Sequence, residues 1–447
     1  MLRDMTEGKP LRLMINFSIP LVFANILQML YVLVNGAIVG RMLGVRAFAS
    51  LGSTVSIHWL LLSVVIGITY GFGTIFGQQY GAKDMAGLRR SFATSIYLSL
   101  LFSVLIGIAG AFGSRGMLVL LNTPLELLDG ATIYLKVMLI GMPITFILNL
   151  LFAKLRALGD SKTPFRAIIL SSFLNIALDF ALVIPFGLRG IAVATLLAQA
   201  VGGIYCAITL HKSGIFRGMS YKPDTTQAIA LLRLGLPIGL RNAVIDIGGL
   251  IVQRYVNGYG MEFVAGVTVA KRMYSLLLIA GFAIEATVVT FVAQNYGAGK
   301  FERIKQGVSC GLKMVLISVT GIMVFAMFCG RWIMSLLIEG SEAQMAHVFE
   351  IGVKQLIVIV AGLPLLYLAL LYRAAIQGMG KPLIPVLAGI SEMLLRTFLM
   401  IFMISIWDEW GVLLADPIGW LPAALMLGLS FKVIYRQVLK RQEFTAV

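Results

Sequence analysis

Apolar residues run along this chain in long blocks. They show neither the strict alternation of half-buried strands nor the single apolar stripe of soluble helices. A helix that crosses a membrane needs about 20 mostly apolar residues, and segments of that size recur between polar hinges. They predict spans at 13–39, 47–77, 91–113, 129–152, 165–185, 189–210, 235–257, 263–294, 308–329, 352–372, 383–406 and 413–434. The expected fold class is an all-α polytopic membrane protein with twelve transmembrane helices. The first span is too long for a signal peptide and no small-residue cleavage site follows it. Pro20, Pro143, Pro237 and Pro364 fall inside spans, where each frees a carbonyl and favours a kink. Gly36–Gly40–Gly44, Gly67–Gly71 and Gly73–Gly77–Gly81 have the spacing of close helix packing.

The pattern is duplicated. Phe17-Ser-Ile-Pro20 matches Leu234-Gly-Leu-Pro237, with Asn25 matching Asn242. Gln79-Tyr-Gly-Ala-Lys83 matches Asn295-Tyr-Gly-Ala-Gly299, and Arg156-Ala-Leu-Gly-Asp-Ser-Lys-Thr-Pro164 matches Gln377-Gly-Met-Gly-Lys-Pro-Leu-Ile-Pro385. The offsets are 217, 216 and 221 residues. Each copy holds six spans, an even number, so both copies enter from one side and the repeats are parallel. The expected organisation is two pseudo-symmetric six-helix lobes, an N-lobe at 1–210 and a C-lobe at 235–447. A cytoplasmic linker at 211–234 holds His211, Lys212, Arg217, Lys222 and Pro223. Two facing bundles with a cleft between them, rocking to open it to either side, is transporter architecture.

Composition agrees with that class. Of 447 residues 59% are hydrophobic and only 13% charged, with a mean hydropathy of +0.94, which excludes disorder and an ordinary soluble enzyme. The net charge of +16 is topological. Alternate hinges (1–12, 80–90, 153–166, 211–234, 296–313, 373–382, 432–447) hold 24 of the 36 basic residues, and the opposite loops hold five, Arg41, Arg46, Arg115, Arg189 and Arg331. By the positive-inside rule both termini are cytoplasmic, and nucleic acid is not an expected partner. Cys206, Cys310 and Cys329 lie singly in apolar runs and are expected to be reduced.

Ionisable groups inside a membrane cost at least about 2.5–3.5 kcal/mol and must face protein or water. On the first span Gln28, Tyr31 and Asn35 lie within roughly 60° of one another, and on the fifth Asn175 and Asp179 are one turn apart. Asn35, His58 and Asp179 all fall toward the external third of their spans. They form a candidate site for a proton, a cation or substrate, with a hydrogen-bonded core histidine as the other reading of His58. On the seventh span Asn242, Asp246, Gln253 and Asn257 share a face. Arg241 and Arg254 point off it, toward the interface or another helix. The eighth holds Lys271, Arg272 and Glu285, Arg373 and Gln377 end the tenth, and Glu392 with Arg396 on the eleventh has the spacing of a structural ion pair. No phosphate-binding loop, zinc-protease motif or nucleophile elbow is present. Transport driven by an ion gradient or by the substrate's own gradient is the expectation, with no cofactor.

In order and spacing these pieces resemble the multidrug and toxic compound extrusion (MATE) family over roughly residues 10–440. They are Phe17-Ser-Ile-Pro20, Tyr31-Val-Leu-Val-Asn-Gly-Ala-Ile-Val-Gly-Arg41 with Leu43-Gly44, Gln78-Gln-Tyr-Gly-Ala82, Arg156 to Pro164, Leu174-Asn-Ile-Ala-Leu-Asp179 and Gln294-Asn-Tyr-Gly-Ala-Gly299. The resemblance implies a V-shaped pair of lobes and a monomeric antiporter of a bacterial inner or plasma membrane. It would export amphipathic drugs or metabolites in exchange for protons or sodium. It also implies an N-lobe cation site built on first-span and fifth-span aspartates. Asp179 matches the latter, while Asn35 stands at the former position. Asp246 lies one position from the C-lobe acid of the sodium-coupled branch, whose tenth-span acid has no counterpart here. Substrate contacts are expected at Gln28, Tyr31, Asn35, Asn242, Asp246, Gln253, Lys271, Glu285, Gln377 and Arg396. The alternative is a related exporter or flippase of an anionic or lipid-linked substrate, using the C-lobe cations.

Overall fold

The computed structural model describes residues 3–215, 222–335 and 342–445. Residues 216–221, with Arg217 of the expected linker, lie outside the described residues. Among the described residues every element is helical. Helix α1 (Pro10–Gly81) is followed by α2 (Met85–Leu120), α3 (Leu125–Ile140), α4 (Met142–Ala157), α5 (Lys162–Phe186) and α6 (Leu188–Lys212). The second half comprises α7 (Thr225–Val256) with a 3-10 turn at Asn257–Tyr259, then α8 (Met261–Leu277), α9 (Ile279–Gly297), α10 (Phe301–Ser335), α11 (Glu342–Gly378), α12 (Leu383–Trp407), α13 (Glu409–Leu413) and α14 (Ala415–Thr445).

Helix α1 has 72 residues, about 108 Å at 1.5 Å per residue, far more than one crossing of a hydrocarbon layer about 30 Å thick. It breaks at Gly44, where φ is +83° and ψ 176°, a conformation essentially confined to glycine. Its arms are therefore two spans. Helices α3 and α4 meet at 51° and together make one span. Pro143, at the start of α4, has no N–H to continue the α3 ladder. With these two readings the ten long apolar helices among the described residues become the twelve expected spans. Large apolar side chains such as Phe173, Ile184, Ile317 and Phe328 point outward, more than 70% exposed, as a lipid-facing surface requires.

The duplication is written into the backbone. Among the described residues, eight of the eleven with positive φ fall in pairs at the sequence offsets: Gly44 with Gly260 and Lys83 with Gly299, 216 apart, and Gly159 with Gly380 and Gly187 with Asp408, 221 apart. Each pair turns the chain at the same place in its repeat.

The chain forms two compact units. Unit 1 is residues 1–5 and 19–239, and unit 2 is residues 6–18 and 240–447. This division differs from the expected lobes at two places. The start of α1 belongs with unit 2, where Lys300 Nζ donates to the Thr6 carbonyl at 3.0 Å and Arg303 to that of Gly8 at 3.0 Å. The start of α7 belongs with unit 1, so that residues 225–234 of the expected linker are helix. The reason lies in the small residues. A Cβ on Gly67 or Gly71 would stand 2.7 or 2.5 Å from the Cα of Gly239 or Gly235, so the second arm of α1 and the start of α7 touch backbone to backbone. The core of unit 1 is built on Phe72, Phe76, Phe92 and Phe146, and a second cluster around Tyr134, Met138, Val183 and Ile191 lies near the Asp179 turn. In unit 2 Val252, Phe263, Ile351 and Met400 form a core cluster.

Candidate functional site

Three helices of unit 1 converge on one carboxylate. The i,i+4 spacing on α5 places Asn175 and Asp179 on one face, both buried. Helix α1 brings Tyr31 and Asn35, and α6 brings Thr195. Asn35 Nδ2 donates to Asp179 Oδ2 at 3.3 Å. With its amide turned to satisfy both ends, Asn175 donates to the same oxygen at 2.8 Å and accepts from the Thr195 backbone N–H at 3.1 Å. The Thr195 hydroxyl donates to the Ile191 carbonyl at 3.0 Å. It is therefore the acceptor for the Tyr31 hydroxyl 3.3 Å away. The other carboxylate oxygen, Asp179 Oδ1, is buried without a hydrogen-bond partner. The geometry thus joins Tyr31, Asn35, Asn175 and Asp179. Thr195 was not singled out in the sequence, and its only signal is a hydroxyl in mid-span.

Two first-half candidates stay apart. Gln28 is exposed. His58, on the second arm of α1, has its Nδ1 buried without a partner, and no hydrogen bond links it to Asp179. That finding departs from a hydrogen-bonded core histidine at Nδ1.

In unit 2 the expected polar face of α7 divides. Asn242 Oδ1 accepts from the neighbouring Arg241 guanidinium at 2.8 Å. Further along, Lys271 Nζ of α8 donates to Gln253 Oε1 and Gln253 donates on to Asn257, each at 2.8 Å. Asp246 is half-buried between these groups. Glu285 of α9 receives two bonds from Arg373 of α11, 2.8 and 2.9 Å long. Gln377, a turn beyond Arg373, is buried with its Nε2 unpartnered.

One ion-pair expectation is corrected here. Arg396 does not pair with Glu392. It reaches Asp416 on α14 at 3.0 Å and the Ile245 carbonyl of α7 at 3.3 Å. Gly248 leaves the room for that path, because a Cβ there would lie 2.3 Å from the guanidinium. Arg241 takes the second of its two expected placements, against another helix. It is buried, with its stem against Gly389, where a Cβ would stand 2.9 Å away. Most of the cations in these spans are thus matched internally, Lys354 by Glu350 at 3.0 Å and Glu409 at 3.2 Å. All three cysteines are free thiols.

Against known proteins, the family model described as MatE matches residues 20–181 and 237–402. The probable multidrug resistance protein YpnP of Bacillus subtilis is 32% identical, over 67% of this chain and 68% of its own length. The probable multidrug resistance protein NorM of Thermotoga maritima is 27% identical over 96% and 94%. Among solved structures, a MOP superfamily transporter from Pyrococcus furiosus, described as having a binding pocket of reverse polarity, superposes with a TM-score of 0.89 at 22% identity, covering 97% and 98%.

Proposed function

Because this chain belongs to the MatE family of membrane transporters, we propose that it is a secondary active exporter in which a proton exchanged at Asp179 drives the outward movement of a small amphipathic molecule. The observation that carries this reading is a single carboxylate, buried among three helices, with Oδ2 held by two amides and Oδ1 unpartnered. An ionised carboxylate removed from water carries an effective penalty of several kcal/mol. A proton on Oδ1 removes that penalty, and water reaching the site restores the charge. The proton drives transport only if the inward-open and outward-open states hold it with different affinity.

Asn35, at the position where many family members carry a second aspartate, makes this a one-carboxylate site. Its neutral amide donates to Asp179 and adds no charge. With Asn175 in its flipped orientation, both amides donate to Oδ2 and leave Oδ1 as the atom a proton would occupy. Substrate contacts are assigned to Gln28, Tyr31 and Asn35 in unit 1 and to Asn242, Asp246, Gln253 and Lys271 in unit 2. The naming of the relatives as multidrug resistance proteins supports export of small molecules. The plasma membrane, with both termini cytoplasmic, is the proposed location. An anionic substrate is the second reading, favoured by Lys271, whose hydrogen-bond partner is a neutral amide. The internal pairing of Arg373 and Arg396 speaks against it.

The test is transport in proteoliposomes under imposed pH or sodium gradients, with cationic and anionic candidate substrates. A pH gradient is expected to drive uptake or release, and Asp179→Asn to abolish the coupling while the protein still inserts. Unchanged coupled transport by a well-inserted Asp179→Asn protein would remove Asp179 from the mechanism.

A further inference from the structure

At one end of α7, within unit 2, a groove of about 720 Å³ opens beside α12. That size lies in the range of about 300–1,000 Å³ that holds small ligands. One wall is apolar, formed by Ile247, Leu250 and Ile251 of α7 with Ile404 of α12. Arg254, Tyr255, Gly258 and Tyr259, at the last turn of α7 and the 3-10 turn that follows, complete the lining.

Arg254 differs from three of the other arginines of the unit 2 spans. Arg241, Arg373 and Arg396 each bind a side chain of the protein. Arg254 is exposed, and no carboxylate or carbonyl among the described residues takes a hydrogen bond or ion pair from it. The acids beside Tyr259, which lines the same groove, do not supply one. Asp408 lies beside Tyr259, and Glu409 is bound to Lys354. Trp407 and Trp410, both at least 40% exposed, follow at the end of α12. Exposed tryptophans and tyrosines at helix ends mark the level of the lipid headgroups. The uncompensated cation therefore stands at headgroup depth, with the apolar wall running from it along the membrane-crossing part of α7.

We propose that this groove binds one anionic glycerophospholipid of the surrounding bilayer, its phosphate on Arg254 and an acyl chain along Ile247, Leu250, Ile251 and Ile404. The lipid is a resident ligand and not cargo, and the site is separate from the Asp179 group. The guanidinium supplies the planar donor set that suits phosphate oxygens. The wall supplies the apolar area that a free phosphate would leave unused.

The experiment is native mass spectrometry of the purified full-length protein, offered equal amounts of phosphatidylglycerol and phosphatidylcholine with identical acyl chains. Phosphatidylglycerol should be retained about fivefold over phosphatidylcholine, the factor expected for one basic group at a membrane surface. Arg254→Gln should bring the ratio to one without changing the melting temperature of the lipid-free protein. Ile251→Trp, which fills the groove and leaves the charge, should lower retention of both lipids. Equal retention of the two lipids by the unsubstituted protein, or a preference that survives Arg254→Gln, overturns the proposal. So does displacement of the lipid by excess glycerol 3-phosphate, since the apolar wall would then play no part. Net movement of phosphatidylglycerol across a proteoliposome bilayer, lost in Arg254→Gln, would make the lipid cargo and overturn the reading of a resident ligand.

Discussion

Glu285 and Arg373 are joined by two parallel bonds of 2.8 and 2.9 Å between α9 and α11, both side chains nearly buried. Removing one partner of such a pair leaves an uncompensated buried charge, which costs about 3–5 kcal/mol. Arg373→Met should therefore lower the melting temperature of the purified protein sharply, and Glu285→Met in the same chain should recover most of the loss, because the pair is then removed as a unit. The polar residues themselves were legible in the sequence, since an ionisable group in an apolar run declares itself. Their partners were legible only where both lie on one helix. Asn175 and Asp179 are such a case, one turn apart on α5 and joined in the structure. Glu392 and Arg396 have the same spacing and do not pair, because Asp416 and the Ile245 carbonyl offer Arg396 acceptors on other helices. Spacing states which groups can meet along a helix and carries no information about what a neighbouring helix presents.

Single helices were read well in position and less well in continuity. Span limits followed from hydropathy, but the breaks inside spans depended on local backbone chemistry. At the joint between α8 and α9, Tyr367 of α11 replaces the missing helix bonds, accepting from the Gly281 N–H at 3.0 Å and donating to the Leu277 carbonyl. No motif around Leu278 announces that break, since the residue that sustains it lies about 90 positions away. The bend between α3 and α4 was more accessible, because Pro143 marks it. The break at Gly44 is of a third kind. No neighbour lies within 4 Å of a Cβ built there, so the glycine is required by its φ of +83° and not by crowding. Gly44→Ala should destabilise the protein by about 1–3 kcal/mol, measured as a loss of melting temperature or folded yield. Gly260→Ala should do the same at the matching turn of the second repeat, where φ is +89°.

For the molecule as a whole, the alternation of basic residues from hinge to hinge makes a topological statement that labelling checks directly. In a background with Cys206, Cys310 and Cys329 replaced by alanine, a cysteine at Glu126 should react with a membrane-impermeant maleimide on intact cells. A cysteine at Lys162 should react only after permeabilisation. The reverse pattern would turn the protein over and reassign which side supplies the proton to Asp179. The sequence by itself determined the class, the span count, the duplication and where polar residues interrupt the spans. These properties depend on transfer of each segment from water to lipid and on local spacing, both summed along the chain. Tertiary structure alone decided that Thr195 joins the Asp179 group, that one carboxylate oxygen is left unpartnered, that Arg396 binds Asp416, and that Arg254 faces an apolar groove without a counter-charge. Each depends on the rotation and approach of separate helices, which packing of small residues such as Gly248 and Gly389 sets and which hydropathy does not encode.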